Sequence, residues 1–219
     1  MKVLVFDTET TGLPAGRNLS IRDVGKWPHI IQLSYILYDT EQNNTITCID
    51  DIIKLDSDVN ISKKSIEMHG ITRSVSSRKG IDIKDAIDKF NSVIQKTDII
   101  IAHNLSFDKQ MIMVECNRLK TKQYFTYGNG YGIKEYCTMR NSVNICKIEK
   151  QNAFGNTYHK FPTLSELHEH LFGFIPNNTH DSMSDVLICL RCYYVLVNDD
   201  DVISNGCPII KNLYNLYCN

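Results

Sequence analysis

A chain of 219 residues is long enough for one globular domain with its own apolar core. Hydrophobic residues make up 42% of it and charged residues 22%, which excludes the low-hydrophobicity, high-charge composition of disordered proteins. The formal net charge of -1 excludes a global basic field, so any binding of nucleic acid must rely on local groups.

The chain has no pattern typical of secretion or of membrane insertion. Acidic residues follow the first methionine too closely for the apolar stretch of a signal peptide, and no later apolar run is long enough for a bilayer. We therefore expect a soluble, intracellular protein without membrane contact. The eight cysteines lack the dense spacing of a disulfide scaffold, so we expect reduced thiols.

The first half of the chain predicts three strands and two helices. Runs rich in β-branched and aromatic residues predict the strands, at residues 2–6, 30–38 and about 45–54. Ser62 and Gly70 are typical of the start and end of a short helix, because a hydroxyl can cap free amides and glycine tolerates a left-handed stop. Apolar residues at helical spacing predict a second helix over residues 83–96.

The second half predicts further alternation of strands and helices. The apolar run at 99–102 predicts a buried strand that feeds a polar loop, followed by a helix over about 107–119. Glycines and aromatic residues over 120–134 favour a loop or loose hairpin. Three more elements are predicted: a strand at about 135–139, a helix from Pro162-Thr163-Leu164 to Gly173, and a helix over about 181–197. Residues 141–161 have no clear pattern.

The chain begins with a run of predicted strands and continues with strands that alternate with helices. This order predicts an α/β fold in which helices flank a central mixed sheet. We assign residues 1–197 to one domain. Residues 198–219 form a C-terminal tail, which we expect to pack on the same domain. The apolar residues of this tail also fit a surface for a partner: Ile209, Ile210, Leu213 and Leu216.

Two acidic residues lie at the end of the first predicted strand. Asp7 and Glu9 are two positions apart, so strand alternation points both side chains to the same face. Like-charge repulsion disfavours such a pair unless a hard cation neutralises it, and carboxylate oxygens suit Mg²⁺ or Mn²⁺. Taken alone, the pair is explained better by two unrelated acids at a solvated strand end. The following turn, residues 10–13, has little side-chain bulk, so a substrate could approach its backbone closely.

Other polar residues lie at the starts of predicted helices. Asp108 is in the first turn of its helix, where an acid fits the helix dipole as well as a ligand site. His103 and Asn104 follow a buried strand, at the edge where open α/β sheets commonly bind ligands. His180 precedes the last predicted helix and Asp185 lies about one turn inside it, so the two can face one cavity. Each residue singly fits an ordinary structural role.

Together, these motifs resemble the DEDD superfamily of exonucleases, in its histidine branch. The resemblance rests on FDTETTGL at residues 6–13, AHNLSFD at 102–108 and HDSMSD at 180–185. Residues 69–72 (HGIT) and 161–167 (FPTLSEL) are similar to stretches of the proofreading epsilon subunits of bacterial DNA polymerase III and their relatives. The resemblance covers about residues 1–197, with 120–134 and 140–160 poorly matched.

The resemblance implies a ribonuclease-H-like exonuclease domain that releases nucleoside monophosphates from DNA 3′ ends. It implies two divalent ions, Mg²⁺ or Mn²⁺, one on Asp7, Glu9 and Asp185 and the other on Asp7 and Asp108. His180 would be the general base. The residues implied near the terminal nucleotide are Thr10, Leu13, His69, His103, Asn104 and Phe107. Single-stranded DNA is the implied substrate, and a polymerase or replication protein is a candidate partner.

Three alternatives to this function stay open. An exoribonuclease would share every catalytic residue, and no residue identifies a contact to the 2′-hydroxyl. A non-catalytic binding module for a polymerase would lack a ligand residue, but none of the five is missing. A zinc site could combine two pairs of thiols, although the first pair lies within an apolar helix: Cys189, Cys192, Cys207 and Cys218. The aromatic stretch 124–132 is a candidate strand-handling loop.

Overall fold

The computed structural model describes residues 1–126 and 132–218. Its central feature is a five-stranded mixed sheet. The strands are β1 (Lys2–Thr10), β2 (Ile30–Asp39), β3 (Asn44–Ile52), β4 (Ile99–Ala102) and β5 (Lys134–Cys137). They lie in the order β3-β2-β1-β4-β5, with β1 antiparallel to β2 and parallel to β4. The carboxyl ends of β1, β4 and β5 therefore meet at one edge of the sheet.

Helices connect and cover these strands. Before β5 the chain forms α1 (Lys63–His69), α2 (Arg73–Lys79), α3 (Ile83–Ile94) and α4 (Leu105–Arg118), with a short 3-10 helix at Val24–Lys26. After β5 it forms α5 (Thr138–Asn141), α6 (Val143–Cys146), α7 (Leu164–Phe172), α8 (Ser182–Asn198), α9 (Val202–Asn205) and α10 (Pro208–Cys218). A small hairpin of β6 (Glu149–Gln151) and β7 (Thr157–His159) separates α6 from α7.

Two apolar cores lie on opposite faces of the sheet, because successive strand residues point to opposite faces. Leu4 and Phe6 of β1 pack in the core that α3 and α4 cover. Val3 and Val5 pack in the other core, which α7, α8 and α10 cover. Burial of apolar area at roughly 25 cal/mol per Å² stabilises both layers. The α/β architecture predicted from the sequence, a mixed sheet flanked by helices, is confirmed.

The predicted helix ends are confirmed where a capping side chain is present. Ser62 accepts a hydrogen bond from the Ser65 amide and Gly70 ends α1 with φ 70°. Thr163 and Glu166 form a reciprocal capping box at the start of α7. These caps satisfy amides that the first helical turn leaves free, so they fix helix boundaries locally.

The structure differs from the predicted elements in four places. The first strand continues to Thr10 rather than ending near residue 6, because β2 pairs with it as far as Ile30. The fourth helix begins at Leu105 rather than near residue 107, after Asn104 in a left-handed conformation. Residues 138–141 form α5 rather than the end of a strand. Short helix α2 was not predicted.

Part of the predicted loop over 120–134 lies outside the described residues. Within the described part, Thr126 forms an isolated antiparallel bridge with Gly132. Residues 141–161, which had no clear pattern, contain α6 and the β6–β7 hairpin. In the ranges 1–126 and 132–218, no helix combines the length and the apolar character needed to cross a membrane.

The last two helices pack on α8 through a polar network. Asp201 accepts two hydrogen bonds from Arg191 of α8, Nε to Oδ1 at 3.0 Å and Nη2 to Oδ2 at 2.8 Å. Arg191 also donates to the Tyr214 hydroxyl of α10 at 3.0 Å, and the same hydroxyl lies 2.8 Å from His168 Nε2 of α7. One guanidinium therefore links α8 to α9 and α10.

Replacing Asp201 with alanine should lower the free energy of unfolding by roughly 3 kcal/mol, because the largely buried Arg191 guanidinium then lacks its anionic partner. Urea denaturation followed by circular dichroism measures this change. Glu169→Ala, at an exposed position of α7, is the matched control and should change stability by less than about 0.5 kcal/mol. Equal stability of the two variants would contradict the structural role of this ion pair.

Candidate active site

Three carboxylates meet where the carboxyl end of β1 faces α8. Asp7 and Glu9 continue the side of β1 that carries Val3 and Val5, which is the side that α8 covers. Asp185 lies in the first turn of α8. One ligand oxygen from each of the three acids lies within 4.8 Å of the others. Across the described ranges, this is the only group of three or more His, Cys, Asp or Glu side chains with such a spacing.

Asp108 reaches β1 from the opposite face of the sheet. Its Oδ1 accepts hydrogen bonds from the Thr8 amide at 3.1 Å and from Thr8 Oγ1 at 2.8 Å. Thr8 lies between Asp7 and Glu9 in the strand, and the Asp108 side chain is only 3% exposed. Helix α4 therefore brings a fourth carboxylate to the same segment of β1.

The crowding of these acids disfavours their charged forms. Burial and then the nearby carboxylates of Asp7, Asp185 and Asp108 raise the pKa of Glu9 to about 9. Burial raises the pKa of Asp7 to about 7. Burial followed by repulsion from Asp7 also raises the pKa values of Asp108 and Asp185. The site therefore holds protons near neutral pH unless a cation replaces them.

A hydrogen-bond network fixes the start of α8 against the sheet. Asp181 caps the helix by accepting from the Ser184 amide, and Ser182 Oγ donates to the Asp7 carbonyl at 2.9 Å. Gln32, which is 2% exposed and pairs with Glu9 in the β1–β2 ladder, donates to Asp50 at 2.8 Å and to Asp181 at 3.5 Å. The sequence analysis did not identify Gln32, although a polar side chain within the apolar run of β2 was a usable signal.

His180 lies apart from the group of acids. It is exposed, has φ 75°, and lines a cleft of about 450 Å³ together with Met68, His69 and Leu216. Its backbone amide hydrogen-bonds to the Asp185 carboxylate, which places the residue next to the acids even though its ring faces the cleft. A positive φ in a residue other than glycine is a strained conformation that costs on the order of 1 kcal/mol.

Four of the residues predicted to contact a nucleotide line one cleft beside the acids. The cleft has a volume of about 540 Å³, and Glu9 forms part of its wall. The four residues are Thr10, Leu13, His69 and Phe107. Leu13 is 77% exposed, which is unusual for a leucine that packs in a core.

The ring of His69 has a defined orientation in this cleft. Its Nδ1 accepts a hydrogen bond from the Ile71 amide at 3.0 Å, so the neutral ring carries its proton on Nε2, beside the Thr10 backbone. Burial lowers the pKa of His69, which favours this neutral form. The Nε2 atom is buried in the wall of the cleft and has no hydrogen-bond partner among the described residues.

The structure places His103 and Asn104 away from this cleft. His103 Nδ1 lies 3.0 Å from Thr138 Oγ1 and its Nε2 lies 3.0 Å from the Pro162 carbonyl, so both ring nitrogens bond within the protein. Burial lowers the pKa of His103 to about 4. Asn104 caps α4 and lines a neighbouring cleft of about 290 Å³ that it shares with Phe107.

The cysteine pair of α8 has the environment of core thiols. Cys189 and Cys192 are buried, and burial raises the pKa of both thiols. Cys189 Sγ lies 3.6 Å from Thr138 Oγ1. Among the described residues, no group of ligand atoms with metal-site spacing includes either thiol, which disfavours the zinc hypothesis.

Comparison with known proteins agrees with the fold. The family model described as "Exonuclease" (RNase_T) matches residues 4–193. Crystal structures of E. coli exonuclease I with a dA16 and with a dT13 oligonucleotide superpose with TM-scores of 0.63 and 0.65, each at 17% identity. They cover 98% and 92% of this chain but only 42% and 41% of the exonuclease I chain.

The chain thus spans less than half the length of the exonuclease I structures that it matches. A search of curated proteins found no significant match. The mixed sheet flanked by helices has the ribonuclease-H-like arrangement of exonuclease I, which confirms the fold implied by the sequence motifs. Because the family model covers most of its residues, the chain belongs to the exonuclease family that the RNase_T model describes.

Proposed function

We propose that this protein is a metal-dependent 3′→5′ exonuclease of the histidine branch of the DEDD superfamily, which releases nucleoside monophosphates from DNA ends. The main support is the group formed by Asp7, Glu9 and Asp185 beside the cleft that Leu13 and Phe107 line. Fixed acids next to a cleft with apolar walls can combine phosphate chemistry with contact to a base.

The donor set fits divalent cations. Carboxylate oxygens are the ligands that Mg²⁺ and Mn²⁺ prefer, and a cation offsets the repulsion that raises the pKa values of these acids. Asp7, Glu9 and Asp185 would hold one ion, and Asp7 and Asp108 would hold the second. Thr8 occupies Oδ1 of Asp108, so Oδ2 is its remaining ligand atom, directly or through water. Two such ions, when bound, stabilise charge on the attacking and leaving oxygens of the phosphodiester.

His180 is the proposed general base. A neutral imidazole nitrogen can take the proton from the attacking water. In the structure the ring faces the cleft beside Met68 and His69, so it must rotate toward the acids when substrate binds. Its exposed position before α8, with a strained backbone, suits such a movement.

The cleft beside Glu9 is the proposed site of the terminal nucleotide. Leu13 and Phe107 offer apolar contact to a base face, which favours no particular base. His69 stays a predicted substrate contact, and its buried Nε2, which has no partner among the described residues, lies beside the Thr10 backbone. His103 and Asn104 stay predicted substrate contacts, although the contacts described for His103 are structural. Low sequence specificity should follow.

DNA is the preferred substrate class. Sequence similarity of residues 69–72 and 161–167 to proofreading subunits supports this preference, and the solved exonuclease I complexes contain DNA oligonucleotides. A polymerase or replication protein as partner, and an intracellular location, stay predictions.

Replacing Asp7 with asparagine should lower the exonuclease rate by roughly 10³-fold, the effect of about 4 kcal/mol in the barrier. The assay uses DNA and RNA oligonucleotides that carry the label at the 5′ end, with Mg²⁺, Mn²⁺ or chelator. The expected product is a ladder that keeps the label, requires cation and Asp7, and forms faster from DNA. Release of the label as a mononucleotide would contradict the direction, and faster cleavage of RNA would contradict the substrate class.

Replacing His180 with alanine should reduce kcat by about 10²- to 10³-fold and leave oligonucleotide binding unchanged. The loss should appear in the rate of the chemical step, because the proton acceptor is gone. Fluorescence anisotropy measures binding and single-turnover assays measure the chemical step. His170→Ala, at an exposed position of α7, is the matched control. Near-normal turnover of the His180 variant would remove this residue from the mechanism.

Replacing Glu9 with glutamine should stabilise the metal-free protein at pH 8. Glu9 has a folded-state pKa of about 9 against 4.5 without the fold, so the folded state holds the extra proton. The stability that this proton contributes is fully present below about pH 4.5 and is lost as the pH rises toward 9. Thermal unfolding in chelator should show a gain on the order of 2 kcal/mol at pH 8 and a much smaller gain at pH 5.

With Mg²⁺ at pH 8, the wild type should be more stable than the Glu9→Gln variant, because the ion stabilises the wild type more. Glu169→Gln is the control for the loss of an exposed acid. An equal gain at both pH values would contradict the repulsion among the four carboxylates.

A further inference from the structure

We propose that the DNA strand upstream of the terminal nucleotide runs along α4, and that Arg140 binds one of its phosphates. The inference rests on the proposed function, because it takes the cleft beside Glu9 as the place of the 3′ end. It assigns a binding role to the start of the segment 138–162, which follows β5. His103 lies within hydrogen-bond distance of both ends of this segment, at Thr138 and at Pro162.

Three clefts follow one another from the acids along α4. Phe107 lines both the cleft beside Glu9 and the neighbouring cleft of about 290 Å³, so the two clefts adjoin at this residue. Ser106, Gln110 and Arg140 line this second cleft and also a third one of about 580 Å³. Ser106 and Gln110 are four positions apart, so they lie on the same face of the helix. The three clefts therefore share walls and form one path.

The position of Phe107 makes this path suitable for a single strand. A base that stacks against one side of the ring would occupy the terminal cleft, and the next nucleotide would lie on the other side, in the second cleft. Asn104 and Gln110 provide amide groups there that can hydrogen-bond to sugars or bases. Because the Phe107 side chain would separate two neighbouring nucleotides, it would fix which phosphate of the strand lies at the acids.

Arg140 is the available cation of the second and third clefts. It is exposed, and within the part of the chain that the structure describes it makes neither an ion pair nor a hydrogen bond. Lys109 also lines the third cleft, but it forms an ion pair with Glu135. A guanidinium can bind a phosphate with two parallel hydrogen bonds, and a chain of net charge -1 depends on such local cations to hold a polyanion.

The expected consequence is an effect of Arg140 that depends on substrate length. Arg140→Ala should raise KM for dT16 by about five- to tenfold and leave kcat/KM for the dinucleotide dTpdT unchanged, because the only phosphate of the dinucleotide is the scissile one at the acids and no upstream phosphate is left for Arg140. The slope of log Kd against log salt for dT16 should fall by about 0.7, the value for one phosphate contact on a single strand. Arg140→Lys should keep the salt slope.

Arg78→Ala is the matched control, because Arg78 is an exposed arginine of α2 that lines none of the three clefts. Binding is measured by anisotropy of labelled dT16 with Ca²⁺, so the result does not depend on turnover. An unchanged KM and salt slope for dT16, or an equal loss on dTpdT, would overturn the assignment of Arg140. Absence of cleavage of both substrates by the wild type would instead overturn the proposed exonuclease activity, and the salt slope would still decide whether Arg140 contacts the strand.

Discussion

The repulsion among four carboxylates is the constraint on which the rest of the site depends. Asp7, Glu9 and Asp185 lie with ligand atoms within 4.8 Å, and Asp108 approaches the same strand through Thr8. No such arrangement forms spontaneously in a flexible chain, because each added charge disfavours the others. The fold must hold the acids together without a cation, and its layers explain how it does so. β1 lies in the centre of the sheet, α8 covers one face and α4 covers the other.

Neutral hydrogen-bonding groups stabilise the acids at their positions. Thr8 donates twice to Asp108, and Ser182 donates to the carbonyl of Asp7. Gln32 joins Asp50 to Asp181, so the cap of α8 is tied across β2 to β3. These contacts fix backbone and helix ends while leaving carboxylate oxygens to face one another. The same acids that destabilise the metal-free protein at high pH are thus in place to bind cations without rearrangement of the sheet.

The strands, the long helices and the acids could be predicted from the sequence, because they depend on local signals. Strand alternation put Asp7 and Glu9 on one face, and the cap of α8 put Asp185 one turn inside the helix. The extension of β1 to Thr10 depends on its partner β2, so no local pattern predicts it. The bonds of His103 to Thr138 and Pro162 also join residues far apart in the chain. That histidine therefore looked like a ligand contact in the sequence and has structural contacts in the fold.

The candidate site combines acids on regular elements with a histidine in a loop, and the C-terminal helix contacts that loop. The acids sit on β1, α4 and α8, whereas His180 sits in the strained loop before α8. The Asn177 amide donates to the Cys218 carbonyl at 3.1 Å, and Asn178 Nδ2 donates to the Tyr217 carbonyl at 3.1 Å. α10, which lies beyond the residues that the family model matches, thus holds the loop at two points close to His180. Packing of α10 on α8 through Arg191 therefore positions the residues that hold this loop, directly before His180, the proposed general base.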